Sequence, residues 1–363
     1  MELLHHETER VSQLTAYLDL LVQGKVSKEA YLDYSEVLES ATPFEVNEVL
    51  DAYIAPAHDV DALRVPVSRF IRSVGKGLDN YPYTEYPKGH LLFSLNQENE
   101  VILAAAKALQ ELSKQATQKK ENYRLIREKV AGMRELEVHY TRLQNELFPL
   151  FEGSNSHHGC VKLMWSLQDS VLDLKKQLTT CNDGNDFWKV FAQFYFTLEI
   201  LVYREQRILF PVAYYSIPEK QYHPSDAQAV KGMFTSLTGS LSFGELEAIL
   251  KVLPLDIAFI DDQDRVKFYS DPPHRIFPRT PMVIGRLVQN CHPPKSVATV
   301  EKILSSFKEG ISDTAEFYLT MKDAFIHIEY FSVRDEQGTY LGTLEVTQDA
   351  TKLRALVGEK RLL

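Results

Sequence analysis

Cysteine is nearly absent from this chain: Cys160, Cys181 and Cys291 are the only three among 363 residues, with no Cys-x-x-Cys and no pairing implied by their spacing. A reducing compartment fits that usage best. Positive charge is in deficit. With 40 Lys and Arg against 50 Asp and Glu, the net charge of −10 has the wrong sign for a general binder of phosphate backbones. No apolar run reaches the roughly 18 residues of a membrane span, and the amino terminus has no basic segment leading into an apolar one. A cytoplasmic protein with no membrane and no nucleic-acid partner is expected. A Gly-x-Gly-x-x-Gly loop in strand-helix-strand context, a Walker loop, Gly-x-Ser-x-Gly and His-Glu-x-x-His are all missing, so no enzymatic turnover is predicted.

What is present is enough apolar residue, 44%, to bury more than one core, and the length suggests two or three domains. From residue 8 to residue 80 short amphipathic helices alternate with turn residues. Leu14, Tyr17, Leu18 and Leu21 share one face before Gly24 stops the first helix, and Thr42, Pro43 and Glu45 open a later one as N-cap, first helical residue and first-turn acid. A proline- and tyrosine-rich connector, "YPYTEYPKG" (81–89), follows. Four long helical segments are predicted over 90–117, 121–150, 160–180 and 186–214, an up-and-down bundle. Beyond it the texture changes to strands. "IAFIDDQDRVKFYS" reads as a hairpin around Asp261–Asp264, helical stretches follow, and "DTAEFYLTM" with "AFIHIEYFSVRDEQGTYLGTLEVTQDA" supplies three more strands. That order predicts an antiparallel sheet with helices on one face, an α+β domain.

Two stretches invite a chemical reading. "HYTRLQNELFPLFE" (139–152) and "YREQRILFPVAYY" (203–215) end in the same Leu-Phe-Pro triplet, each with ionisable residues in the preceding turns, as paired walls of a metal-binding bundle would.

The carboxy-terminal motifs "IAFIDDQDRVKFYS", "GRLVQNCHPPKSV", "VRDEQGTYLGTLEVTQD" and "LVGEKRLL" resemble a PAS sensor domain. With "GHLLFSLNQEN", "HYTRLQNELFP", "VKLMWSLQD" and "EQRILFP" in order before them, nearly the whole chain resembles a bacterial family. That family joins a helical domain of unknown function (the 438 type), a hemerythrin-like four-helix bundle and PAS. The resemblance implies a multidomain fold: an all-α region with a helical domain at 1–80 and a hemerythrin-like bundle at 81–228, then an α+β PAS domain at 236–358. Hemerythrin-like sites hold iron through His and carboxylate side chains, which a helix offers most easily at i and i+3 or i+4. Here the first helix keeps His90 and Glu98 but has Phe93. The second keeps His139 but has Arg142, Leu143 and Gln144 behind it, with Glu146 two turns on. The third has Gln168 at the family's histidine position, with Asp169 pointing elsewhere. The fourth keeps Glu205 beside Gln206. The sequence leaves two readings open, a metal-free bundle and a reduced non-haem iron site at His90, His139 and Glu205. His157 and His158 read as a surface loop.

In the carboxy-terminal domain, His292 beside Cys291 is a candidate haem-binding pair, while "HPP" is equally a turn that opens the next helix. His274 reads as a loop residue and His327 as the rim of a strand. The expected function is a cytoplasmic sensory or regulatory protein that binds a small molecule, haem among the candidates, in its PAS domain. An iron- or oxygen-handling protein is the alternative. Homodimerisation is expected through "GELEAILKVL" and a terminal helix bearing Leu353, Leu356, Leu362 and Leu363, with the signal passing to a protein partner.

Overall fold

A computed structural model describes residues 2–57, 59–82, 84–115, 120–182, 184–222, 232–236 and 238–361, with backbone only at 2–8, 115 and 120–122. The expected bundle boundary at residue 228 and the dimer candidates Leu362 and Leu363 lie outside the described residues. The chain divides into two compact units, Met1–His223 and Pro224–Leu363.

The first unit is helical. Helices α1 (Glu2–Val22), α2 (Lys28–Asp33), α3 (Ser35–Glu39), α4 (Pro43–Ile54) and α5 (Arg64–Asn80) come from the amino-terminal segment. The next are α6 (Leu91–Gln115), α7 (Lys120–Gly132), α8 (Glu135–Arg142), α9 (Phe148–Ser154), α10 (Cys160–Thr180), α11 (Asn185–Arg204) and α12 (Phe210–Ser216). Leu14, Tyr17, Leu18 and Leu21 are buried, and Gly24 closes α1 at φ +68°, a left-handed turn that suits glycine. Thr42 and Glu45 form a reciprocal capping box at α4, and Arg10 reinforces Glu45 at 2.5 Å. α6 packs against α7, α8 and α11, while α10 packs against α7, α8, α11 and α4. The expected boundary at 80/81 therefore falls inside one compact unit. Asn47 Nδ2 donates to the His157 carbonyl at 2.8 Å, and Arg64 binds Ser166.

The segment expected as one helix over 121–150 breaks instead at Met133, after Gly132, and Lys175 caps the break by donating to the Met133 carbonyl at 2.7 Å. The two Leu-Phe-Pro boxes share a further feature. Just before each Phe the helix widens into a π-turn, Leu143–Leu147 and Glu205–Leu209, in which Phe148 donates to Leu143 and Phe210 to Glu205. Pro149 and Pro211 cause it: each lacks an N–H, and its ring would clash with the carbonyl four residues back in a regular helix.

The second unit opens with a small hairpin, β1 (Met233–Ser236) and β2 (Gly239–Ser242), absent from the sequence expectation, and then α13 (Phe243–Val252). Its main sheet comprises β3 (Asp256–Asp261), β4 (Val266–Tyr269), β5 (Thr314–Met321), β6 (Ala324–Arg334) and β7 (Tyr340–Asp349). All pairings are antiparallel in the order β4-β3-β7-β6-β5. The chain therefore crosses from β4 over one face, through α14 (Pro294–Lys308), before completing the sheet. Leu304 of α14 packs with Ile260 and Val288 in a core between helix and sheet. The terminal helix is a single turn, α15 (Thr351–Arg354), with Leu353 and Leu356 exposed.

Candidate functional site

Three elements converge on His139. It stands on α8, Glu98 and Asn99 come from α6, and Glu205 opens the π-turn after α11. His139 Nδ1 lies 2.7 Å from Glu98 Oε2 and Nε2 lies 2.8 Å from Glu205 Oε2, to which Asn99 Nδ2 also donates at 2.8 Å. His139 and Glu205 are fully buried. Glu98, at the edge, is also bound by Arg142, whose guanidinium reaches Ser94 and Glu146 as well. Burial alone would lower the His139 pKa; the two carboxylates outweigh it and raise it to about 9. Burial likewise pushes Glu98 up, but His139 and Arg142 hold it below the ordinary carboxylate value. At neutral pH His139 is an imidazolium donating from both nitrogens.

The donors around His139 satisfy one another. Both ring nitrogens are hydrogen-bonded to carboxylates, so a metal at His139 would have to displace one of those contacts. Gln144 donates to Gln168 at 2.8 Å, and Gln206 donates to Asn96 and Glu100. Among the described residues no group of three or more His, Cys, Asp or Glu side chains is arranged to hold a metal. His90 sits two turns before Glu98, where its Nδ1 accepts from the Leu92 N–H at 3.0 Å. Its ring packs on Tyr222 at 4.1 Å between centroids and on Tyr214 at 5.5 Å. Of the three residues expected at a metal site, the fold joins His139 to Glu205 and gives His90 an aromatic setting. His157 is docked on Asp51 at 3.3 Å.

The repeated Leu-Phe-Pro triplets relate the two helices in sequence. Aligned on their Leu-Phe-Pro triplets, the two boxes place His139 opposite Leu201 and Leu143 opposite Glu205. One helix keeps the histidine of an i, i+4 pair and the other keeps the acid, and those two survivors hydrogen-bond each other.

A second candidate lies in the sheet unit. His292 precedes Pro293 and Pro294, which open α14, so the expected turn is present, and the same turn carries the mostly buried ring into a cavity. The cavity is bounded by Ile260, Val288 and Leu304 and by the polar groups of His292, Tyr330, Thr343 and Glu345. Burial lowers the His292 pKa and raises that of Tyr330. The volume is about 20 Å³, room for about one water, so the haem considered at His292 does not fit this cavity. Cys291 contributes nothing to the lining; its Sγ lies 3.7 Å from the Leu287 carbonyl. His274 is exposed in a loop, and His327 at the rim of β6 meets Glu316 at 2.6 Å.

Comparison with known proteins bears on the second unit. Residues 246–351 match the family profile of a PAS domain. A C-terminal domain from Streptococcus mutans is 31% identical, covering 35% of this chain and 98% of that one, at a TM-score of 0.33. The PAS domain of a Colwellia psychrerythraea protein is 17% identical over 30% of this chain and 98% of its own, at a TM-score of 0.25. A sensory box sensor histidine kinase from Vibrio cholerae is 14% identical over 30% of this chain and 91% of its own, at a TM-score of 0.24. No curated protein matches. The profile match runs from within α13 to just past β7 and takes in the five-stranded antiparallel sheet: residues 246–351 of this chain are a PAS domain.

Proposed function

We propose that the chain is a cytoplasmic sensory or regulatory protein without enzymatic turnover, its PAS domain binding a small polar molecule and its helical unit, a hemerythrin-like bundle without iron, acting as scaffold. The observation that carries this reading is the cavity under α14, where His292, Tyr330 and Glu345 turn hydrogen-bonding groups into an otherwise apolar space. As it stands the space admits about one water, so a metabolite enters only as α14 lifts away from β7. A ligand that favours one packing of helix on sheet shifts the population of that packing and alters the surface offered to a protein partner. No helix among the described residues is long and apolar enough to cross a membrane. Dimerisation through α13 and the terminal segment belongs to the same proposal.

The test is a thermal-shift screen of small polar metabolites on the full chain, repeated with His292→Phe and Glu345→Gln. A compound that stabilises the parent protein and neither variant supports the reading. Equal stabilisation of all three, or of none by any compound, removes it.

A further inference from the structure

Two cavities of the helical unit lie side by side along α11. One, about 590 Å³, opens between α5, α10 and α11; the other, about 440 Å³, between α5, α6 and α11. Arg72, Phe196 and Ile200 line both, so the two are lobes of one groove. Its walls follow helical spacing. On α5 Val65, Arg69 and Arg72 share a face, and on α11 Phe196, Ile200 and Tyr203 do. Phe196 is 55% exposed, an unusual position for a phenyl ring, and it stands where the lobes meet.

The charges decide what the groove suits. Arg64 is engaged by Asp61, Ser166 and Ser170. Asp79 accepts from Tyr203 at 3.1 Å and lies 3.5 Å from Arg207, while Glu199 accepts from Tyr195 at 2.5 Å. Arg69 and Arg72 have no hydrogen-bond or ion-pair partner among the described residues, and Asp173 is the one acidic side chain lining the larger lobe. Two available guanidinium groups three residues apart suit a phosphate, which guanidinium binds in bidentate fashion. Ser68, Gln177, Gln193 and Thr197 add neutral hydrogen-bonding groups to the larger lobe. An acyl chain would leave them desolvated and unpaired; a ribose and a heterocyclic base would pair with them.

We propose that this groove is a nucleotide site, with the phosphates on Arg69 and Arg72, the base against Phe196 and the sugar among the polar side chains of the larger lobe. Held by guanidinium groups, the phosphates need no glycine-rich loop. The volumes fall within the usual range for small-molecule sites. Binding there would clamp α5 onto α11, the helix that leads into Glu205.

The experiment is fluorescence anisotropy of mant-ATP and mant-GTP on the full chain, with unlabelled nucleotide and cis-parinaric acid as competitors. Saturable binding, reversed by ATP or GTP and weakened about tenfold or more by each of Arg69→Gln, Arg72→Gln and Phe196→Ala, is the expected result. All three side chains are exposed, so circular dichroism should show each variant folded, and His292→Phe should bind nucleotide as the parent does. The proposal is overturned by any of three results: no saturable binding at millimolar nucleotide, binding indifferent to both arginine changes, or displacement by cis-parinaric acid but by neither nucleotide.

Discussion

His139 Nε2 and Glu205 Oε2 stand 2.8 Å apart with both side chains fully buried, joining α8 to the π-turn that follows α11. A cation is needed there, since a buried carboxylate without one is costly, and the protonated imidazole supplies it. The second carboxylate, Glu98, binds the other ring nitrogen and is itself balanced by Arg142. In a family resemblance built around iron, this chain places a proton between its carboxylates.

Stability should therefore fall as pH rises. With a folded pKa of about 9 against an ordinary 6.5, the His139 contribution is complete below pH 6.5 and is lost as pH climbs through 9. The expected loss is about 3 kcal/mol. Glu98 works in the opposite direction: its depressed pKa contributes stability that disappears as pH falls through the folded value. Urea unfolding at intervals between pH 6 and pH 10 measures the first effect, and His139→Gln should flatten it.

Removing one partner should cost more than removing both. His139→Leu strands Glu205 with Asn99 alone and should destabilise the helical unit by roughly 3–5 kcal/mol. Glu205→Leu added to it removes the stranded charge and should recover a large part of that loss. Chemical denaturation of both variants checks the order; a double variant weaker than the single one would contradict the pairing.

Iron should not be retained. After anaerobic exposure to ferrous iron and desalting, elemental analysis should find far less than one iron per chain, and the His139→Ala variant should hold no less than the parent. Stoichiometric iron lost on that substitution would show that the carboxylates release His139 to a metal.

Gly342 pairs with Asp261 on β3 at φ +153°, and a Cβ there would sit 2.1 Å from the Ile260 carbonyl oxygen. Backbone cannot retreat as a side chain can, so Gly342→Ala should cost about 2–3 kcal/mol or more and loosen the β3–β7 pairing. Hydrogen exchange at the β3 amides reads this directly.

The C-terminal sheet was legible because its cues are local: the turn about Asp261–Asp264, the "DEQG" turn and alternating β-branched residues each set one element. The cavity was less so. In "TLEVT" alternation alone would turn Leu344 and Val346 inward, yet Thr343, Glu345 and Thr347 are the more deeply buried set. A period of two fixes which residues share a face but not which face meets the helices. The β1–β2 hairpin went unseen because its strands are only four residues long and bury no side chain, so they leave no alternating pattern.

By itself the sequence determined the order of elements, the caps, the points where proline must interrupt two helices, and the absence of a second donor behind His139. Those are properties of neighbouring residues, separated by a turn or less. Only the tertiary structure decided that His139 is shared by two carboxylates from other helices, that His90 lies among tyrosines, that the cavity at His292 admits little more than a water, and that Arg69 and Arg72 share a groove with Phe196. Each depends on residues far apart in the chain being brought together, and on the desolvation that follows, which no local pattern encodes.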